Sequence, residues 1–369
     1  MRHLATIRVI KELRPIPNAD RIELAIIDGW QCVVSKSDGF KVGDKVIYVE
    51  IDSILPPKPE FEFMKDRKYR VKTIKLRGQI SQGLVLPTSL IPHFNTIACP
   101  TGTEEGSDVT SYLGITKYDP EAEQEKVWYL KLGFKKVEFP WWLKPFKRIK
   151  FIREWWINKH KTITSFPPFI TKTDEERIQN LPIVFDRLRY GEIPLHVTEK
   201  IDGTSATYFY KDGQFGVCSR NRWILKDDGS PYWKVAEKYE IRTILENIAR
   251  CNCSKLVVLQ GEIIGSNIQG NKYCINGYEL RAFNLILNGV RLEYERMKSL
   301  LRFTLIDCVP EIGYVTIPDS WEIQDLVENA KGKSLLMKNL EREGIVCRNE
   351  RHNISFKVIN PNFLLKEGE

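Results

Sequence analysis

The chain offers no paired-thiolate metal motif, no membrane-length apolar run and no repeat. Its eight cysteines include no Cys-x-x-Cys; the closest spacing, Cys251-Asn-Cys253, makes a poor zinc site. Thiols so scattered read as reduced, which places the protein inside the cell, in cytoplasm or nucleus. No stretch approaches the ~18 apolar residues of a membrane span, and Met1-Arg-His-Leu-Ala-Thr-Ile-Arg8 lacks the apolar core of a secretion signal. Nor is there a phosphate-binding P-loop. Gly265-Ser-Asn-Ile-Gln-Gly-Asn-Lys272 comes near, but Asn271 stands where that motif requires its lysine. These absences exclude a zinc-held module, a membrane span, a repeat array and a P-loop phosphotransferase.

What is present is a globular composition with an uneven charge. With 369 residues, 42% hydrophobic and 28% charged, two domains and a sizeable core are expected. The net charge is +8, and Lys144 to Lys161 alone carries seven basic residues against one acidic, leaving +2 for the rest (8 − 6).

The densest chemical signal is His196-Val-Thr-Glu-Lys-Ile-Asp-Gly-Thr-Ser-Ala-Thr207, with Lys200-Ile-Asp-Gly203 between two apparent strands. A lysine at a strand end points in a fixed direction. Asp202 and Gly203 supply a tight turn, where glycine can take a positive φ and let backbone approach a ligand. An amine attacks phosphorus only when neutral, so such a lysine needs desolvation, a nearby positive charge or a metal ion to lower its pKa. Alone the tetrapeptide is weak, since a solvated lysine beside a turn reads the same way. Its weight comes from an ordered series of residues downstream: Ser219-Arg220, Gly261-Glu262, Phe283, Glu343-Gly344 and Ser355-Phe356-Lys357. Glu262 interrupts the apolar run Leu256 to Ile264, where a carboxylate needs a cation, metal or hydroxyl. Glu262 and Glu343 are oxygen donors suited to Mg²⁺ or Mn²⁺. Arg220 and Lys357 are candidate phosphate cations, although surface charge is the commoner fate of both. Phe283 read alone is a core aromatic; between the two glutamates it becomes a face on which a purine can stack.

This series resembles the ATP-dependent polynucleotide ligases of the covalent nucleotidyltransferase superfamily, and most closely the RNA ligases, over about residues 165 to 365. The resemblance implies that Lys200 takes AMP from ATP with release of pyrophosphate. The AMP then passes to a 5′-phosphate end, and a 3′-hydroxyl displaces it. It further implies that Arg220 contacts the nucleotide or 5′-phosphate, Glu262 the ribose or metal, Phe283 the adenine, Glu343 the metal and Lys357 the α-phosphate. Glu199 and Asp202, flanking the lysine, and Arg177 join the nucleotide-binding set. One departure stands out: Val358 and Ile359 follow Lys357, where many relatives place a second cation two residues on. Arg177 is a candidate replacement. Related DNA ligases and capping enzymes continue into a C-terminal oligonucleotide-binding barrel, whereas ten residues follow Ile359 here, so those relatives are disfavoured.

The first hundred residues read as a small all-β domain. Runs such as Leu4 to Ile10 and Lys45 to Ile51 are broken by turn signals, among them Asp28-Gly29 and Gly43-Asp44. Phrases such as Ile16-Pro-Asn-Ala-Asp-Arg-Ile-Glu23 and Leu76-Arg-Gly-Gln-Ile-Ser-Gln-Gly83 resemble an OB-fold of the tRNA-binding kind, and an OB-fold ahead of a ligase module resembles the Naegleria-type RNA ligases. Within it, Lys65 to Arg77 holds seven basic residues and one acidic. Arg70, Lys72 and Arg77 interleave with Tyr69, Val71 and Leu76, so one strand face can track a phosphate backbone, or instead guard an edge against aggregation. The basic stretch after it adds Lys147, Arg148 and Lys150 to Trp141, Trp142, Trp155 and Trp156, a mixture suited first to RNA, then to interdomain packing, then to an anionic membrane.

The expected architecture is α+β: an OB barrel over 1–112, a basic, Trp-rich linker over 113–165, and a nucleotidyltransferase (ATP-grasp-like ligase) domain of two antiparallel sheets over 166–369. Thr173-Asp-Glu-Glu176 reads as a capping box opening a short helix, and residues 234 to 250 have helical periodicity. The expected function is RNA ligation using ATP and Mg²⁺ or Mn²⁺. Its partner is RNA with 5′-phosphate and 3′-hydroxyl ends, with an end-healing kinase or phosphatase acting in trans and no membrane. The alternatives are a DNA nick ligase and an RNA-binding protein on an inactive transferase scaffold.

Overall fold

The computed structural model describes residues 3–92, 94, 102–118, 163–225 and 229–367. The candidate RNA contacts Lys147, Arg148 and Lys150, with the four tryptophans beside them, lie outside these residues.

In the N-terminal half, strands Ala5–Val9, Lys45–Val49 and Leu84–Pro87 form one antiparallel sheet, and Glu12–Pro15, Ile22–Ile27 and Trp30–Ser35 form a meander. Asp28 (φ 47°) and Gly29 (φ 80°) make the two-residue turn that their sequence signals. Strand Lys45–Val49 is covered on both sides, with Ile47 and Val49 in one apolar cluster and Val46 and Tyr48 in another. Among the described residues the pairing is divided among separate short sheets and hairpins, without the one closed barrel expected.

The basic segment also departs from expectation, because it is not one strand. Lys65 and Arg67 end a 3₁₀ helix (Pro59–Arg67), Lys68 and Tyr69 turn at φ 52° and 58°, and the hairpin of Ile74–Leu76 with Gln79–Ser81 places Arg77 in its turn.

The C-terminal half contains two sheets. The larger has eight strands, with Thr204–Lys211, Leu256–Gly265 and Tyr278–Leu287 central, all antiparallel except Asp307–Cys308 against Tyr278–Leu287. The smaller runs Glu311–Val315, Leu195–Lys200, Gly344–Asn349 and Ile354–Ile359. Helices Pro231–Lys238, Ile241–Cys251 and Tyr294–Leu301 bury one face of the larger sheet. Helices Pro182–Gly191 and Ile323–Asn329 cover the smaller. The periodic stretch at 234–250 is helical but broken at Glu240, whose φ is 48°.

The capping box does not form. Thr173 Oγ1 is engaged with Ser205 Oγ at 2.7 Å, and Asp174 with Arg220, so neither caps a helix. The helix instead begins at Pro182, a residue preset for a first turn. Among the described residues no helix is long and apolar enough to cross a membrane.

Candidate active site

A cleft of about 1050 Å³ collects Lys200, Asp202, Arg220, Glu262, Phe283, Glu343 and Lys357 on its walls. The strand register explains how. Lys200 ends its strand opposite Gly344, so Glu343 arrives beside it. Lys200 Nζ donates to both Glu343 carboxylate oxygens, at 2.6 Å each. The lysine is 25% and the glutamate 15% exposed, so the pair lies in the cleft and not in bulk water. Glu262 sits opposite Ser205 and Arg281, just past a register shift at Gln260/Gly261 that re-aims the strand.

The glycines matter for closeness. Gly203 lacks a positive φ, contrary to expectation. A Cβ there would stand 2.4 Å from Ile263 O and 2.9 Å from Glu262 Cγ, so the absent side chain lets the lysine turn lie against the glutamate strand. At Gly344 a Cβ would meet Val358 O at 2.2 Å.

The electrostatics of the lysine differ from those anticipated. Burial pulls the Lys200 amine down, but Glu343 and Glu262, with Asp202 behind them, outweigh it and hold the pKa above its ordinary value. The neighbours are carboxylates rather than the cation expected, so in this arrangement the amine stays protonated. Burial likewise pushes Glu262 up to about 8, opposed by Lys200 and reinforced by Glu343 and Asp202. Burial raises Glu343 too, against the pull of Lys200.

Two buried carboxyls whose charged forms burial disfavours fit a divalent cation, which would favour those charged forms. Among the described residues no three His, Cys, Asp or Glu side chains converge on one point. Glu262 and Glu343 would thus give a two-carboxylate site completed by water and phosphate oxygens, as Mg²⁺ and Mn²⁺ accept.

The remaining candidates divide. Phe283 is half-buried, packs near Ile201, Ile264 and Val309, and keeps a place on the cleft wall. Arg220 is exposed and bound to Asp174 at 2.5 Å. Lys357 faces the cleft from mid-strand, opposite Val346. Asp202 Oδ2 accepts from Lys272 Nζ at 2.6 Å, and its backbone N–H donates to Tyr273 Oη at 3.0 Å. Glu199 also lines the cleft, but its carboxylate accepts from Leu335 N at 2.7 Å and so braces a loop. Arg177 lines the cleft, but its guanidinium lies 5.5 Å over Trp30 of the N-terminal half.

Sequence reasoning missed Arg348. It is buried and donates to Phe283 O at 2.8 Å, to Glu175 at 3.0 Å and to Ser355 Oγ at 3.2 Å, tying the smaller sheet to the strand of Phe283. Alternation along Gly344–Asn349 contains the signal, because Val346 and Arg348 share the cleft-facing side. Asp52, Arg70, Lys117 and Tyr118 of the N-terminal half, lining the same cleft, were also unassigned to it. Of the other N-terminal candidates, Lys72 and Arg77 are exposed.

An OB-fold joined to a two-sheet module, with a half-buried lysine between carboxylates and flanking cations, defines a nucleotidyltransferase-type ligase. The chain belongs to the RNA ligase family. An RNA ligase family model matches residues 193–359 and an OB-fold domain model residues 4–88. Among solved structures, Naegleria gruberi RNA ligase with PPi is 30% identical, with TM-score 0.77, covering 100% of this chain and 99% of that one. A mutant of that enzyme with ATP and Mn is 30% identical with TM-score 0.78, covering 100% of both chains. Another, with AMP and Mn, is 30% identical with TM-score 0.78, covering 100% and 99%. No curated protein gives a significant match.

Proposed function

We propose that this RNA ligase uses ATP and Mg²⁺ or Mn²⁺ to join a 3′-hydroxyl to a 5′-phosphate through AMP carried on Lys200. The observation that carries the reading is the Lys200 ammonium clasped by Glu343 in the cleft shared with Glu262, Phe283 and Lys357. Glu262 and Glu343 would hold the divalent cation, which would supply positive charge against the carboxylates and the phosphates.

The chain's own groups do the rest. Lys200 provides the nucleophilic nitrogen once deprotonated. Phe283 offers a flat apolar face to a purine. Lys357 and Arg220 neutralise phosphate charge, and Arg177 takes a supporting place near them in lieu of the missing second cation. The ATP and Mn found in the Naegleria complexes support this choice of ligands.

Our reading divides the chain at 112 and 166, with the N-terminal half gripping RNA through Arg70, Lys72 and Arg77. It places the protein inside the cell, in keeping with seven free cysteines among the described residues. End healing is assigned to a separate kinase or phosphatase.

Incubation with radiolabelled ATP and either metal should label the protein, and Lys200→Ala should abolish the band; an equally strong band in the variant refutes the assignment. Matched nicks with RNA or DNA on the 3′-hydroxyl side should seal at different rates, RNA faster. Equal rates would count against a dedicated RNA enzyme.

A further inference from the structure

The loop between strands Leu256–Gly265 and Tyr278–Leu287 grips the turn that carries the lysine. Lys272 Nζ donates to Asp202 Oδ2 at 2.6 Å, and the Asp202 side chain is only 11% exposed. Tyr273 Oη accepts from Asp202 N at 3.0 Å, and Gln269 Nε2 donates to Gly203 O at 3.3 Å. One loop therefore holds the turn at 201–203 by a carboxylate, an N–H and a carbonyl. The loop is braced in its turn. Asn271 donates from Nδ2 to Ile275 O and accepts from Ile275 N at Oδ1, each at 3.0 Å. Tyr273 is buried beside Ile201 and Ile264.

A second support reaches Lys272 from helix Pro361–Glu367, which follows the strand of Lys357. Phe363 of that helix is buried, and its ring centre lies 4.5 Å from Lys272 Nζ, within the range of a cation over an aromatic face. Asn360 docks the helix from a buried position. Its N–H donates to Glu343 O at 2.9 Å, its Nδ2 donates to Arg342 O at 3.0 Å, and its Oδ1 accepts from Asn362 N at 3.0 Å. The helix is thereby tied to Glu343 on one side and, through Lys272, to Asp202 on the other. Both carboxylates act on the Lys200 amine.

Transfer to that amine is demanding of aim. The deprotonated Lys200 nitrogen bonds to the α-phosphorus while the bond to pyrophosphate breaks, and the electron pair leaves with pyrophosphate. The nitrogen must lie in line with the breaking bond, and a misplacement of about 1 Å costs on the order of 100-fold. Lys272, Tyr273 and Phe363 stand behind the cleft wall rather than on it, so any effect they have on the reaction passes through the turn.

Resting on the function proposed above, we propose that Lys272 is a positioning residue for adenylate transfer: seated on Phe363, it fixes the Asp202 turn and with it the direction of the Lys200 amine.

Single-turnover self-labelling of the full-length protein across an ATP titration separates aim from affinity. Lys272→Met should lower the rate at saturating ATP about tenfold or more, with the half-saturating ATP concentration kept within about threefold. Lys272→Arg should recover much of that rate. Tyr273→Phe removes one hydrogen bond and keeps the ring, so it carries the test if Lys272→Met lowers the melting temperature; a loss of about fivefold at saturation is expected. Phe363→Leu should act in the same direction as Lys272→Met, but more weakly. A saturated rate unchanged in both Lys272→Met and Tyr273→Phe overturns the proposal. So does a rise in half-saturating ATP alone, which would make Lys272 a ligand contact, and so does a loss that Lys272→Arg leaves unrestored. Failure of the wild-type protein to label at all would instead refute the ligase reading itself, so the two failures are distinguishable.

Discussion

Lys200 and Glu343 are each other's nearest counter-charge, and that pairing sets the behaviour of the site. Glu343→Gln would leave Lys200 beside Glu262 and Asp202 but remove a proposed metal donor. Self-labelling should fall at least about tenfold and recover in part at raised Mn²⁺, measured by initial rates across a metal titration. Glu262 gives a pH prediction. Its carboxyl titrates at about 8 when folded against an ordinary 4.5, so between those values the folded state holds a proton that the unfolded state has lost. Stability therefore falls as pH rises through that window, and no penalty exists below it. In chelator, melting temperature should decline from pH 5 to 8 more steeply in wild type than in Glu262→Gln, and added Mn²⁺ should rescue wild type alone. The identity of these residues was legible because each ends or interrupts an apolar run beside a glycine. The charge state of the lysine was not, since it depends on three carboxylates, two of them more than sixty positions away in the sequence.

At the scale of the element, register does the positioning. Gly344 packs where the next strand leaves no room, with Val358 O 2.2 Å from any Cβ. Gly344→Ala should cost about 1–3 kcal/mol by overpacking, read as a melting temperature several degrees lower together with loss of labelling. Gly203→Ala should spare the fold more than the chemistry, because the turn can shift away from Ile263 at the expense of the lysine's aim. Labelling that matches wild type would remove this role. Period-two alternation made most strands readable, and the helical stretch at 234–250 showed its period of 3.6. The helix break at Glu240 carried no local signal. The capping box misled because Thr173 and Asp174 find stronger partners, Ser205 and Arg220, that are distant in sequence. Local propensity yields to tertiary contact in such places.

For the whole molecule, the two halves meet around the cleft. Trp30 lies under Arg177, and a Cβ at Gly29 would reach Ile323 at 2.6 Å. OB-type phrases revealed the presence of the first half, but not its docking, which depends on shape complementarity that no motif encodes. If its basic side chains contact phosphates, nick binding should weaken linearly in log salt, and neutralising Lys72 or Arg77 should each reduce the slope by about one. An unchanged slope in both variants would remove them from the RNA path. The clasp of Lys200 by Glu343 has a consequence for the idle enzyme. An ammonium is inert toward stray electrophiles, so the resting protein guards its most vulnerable nitrogen against adventitious acylation and exposes that reactivity only when its own substrates arrive to disarm the guard.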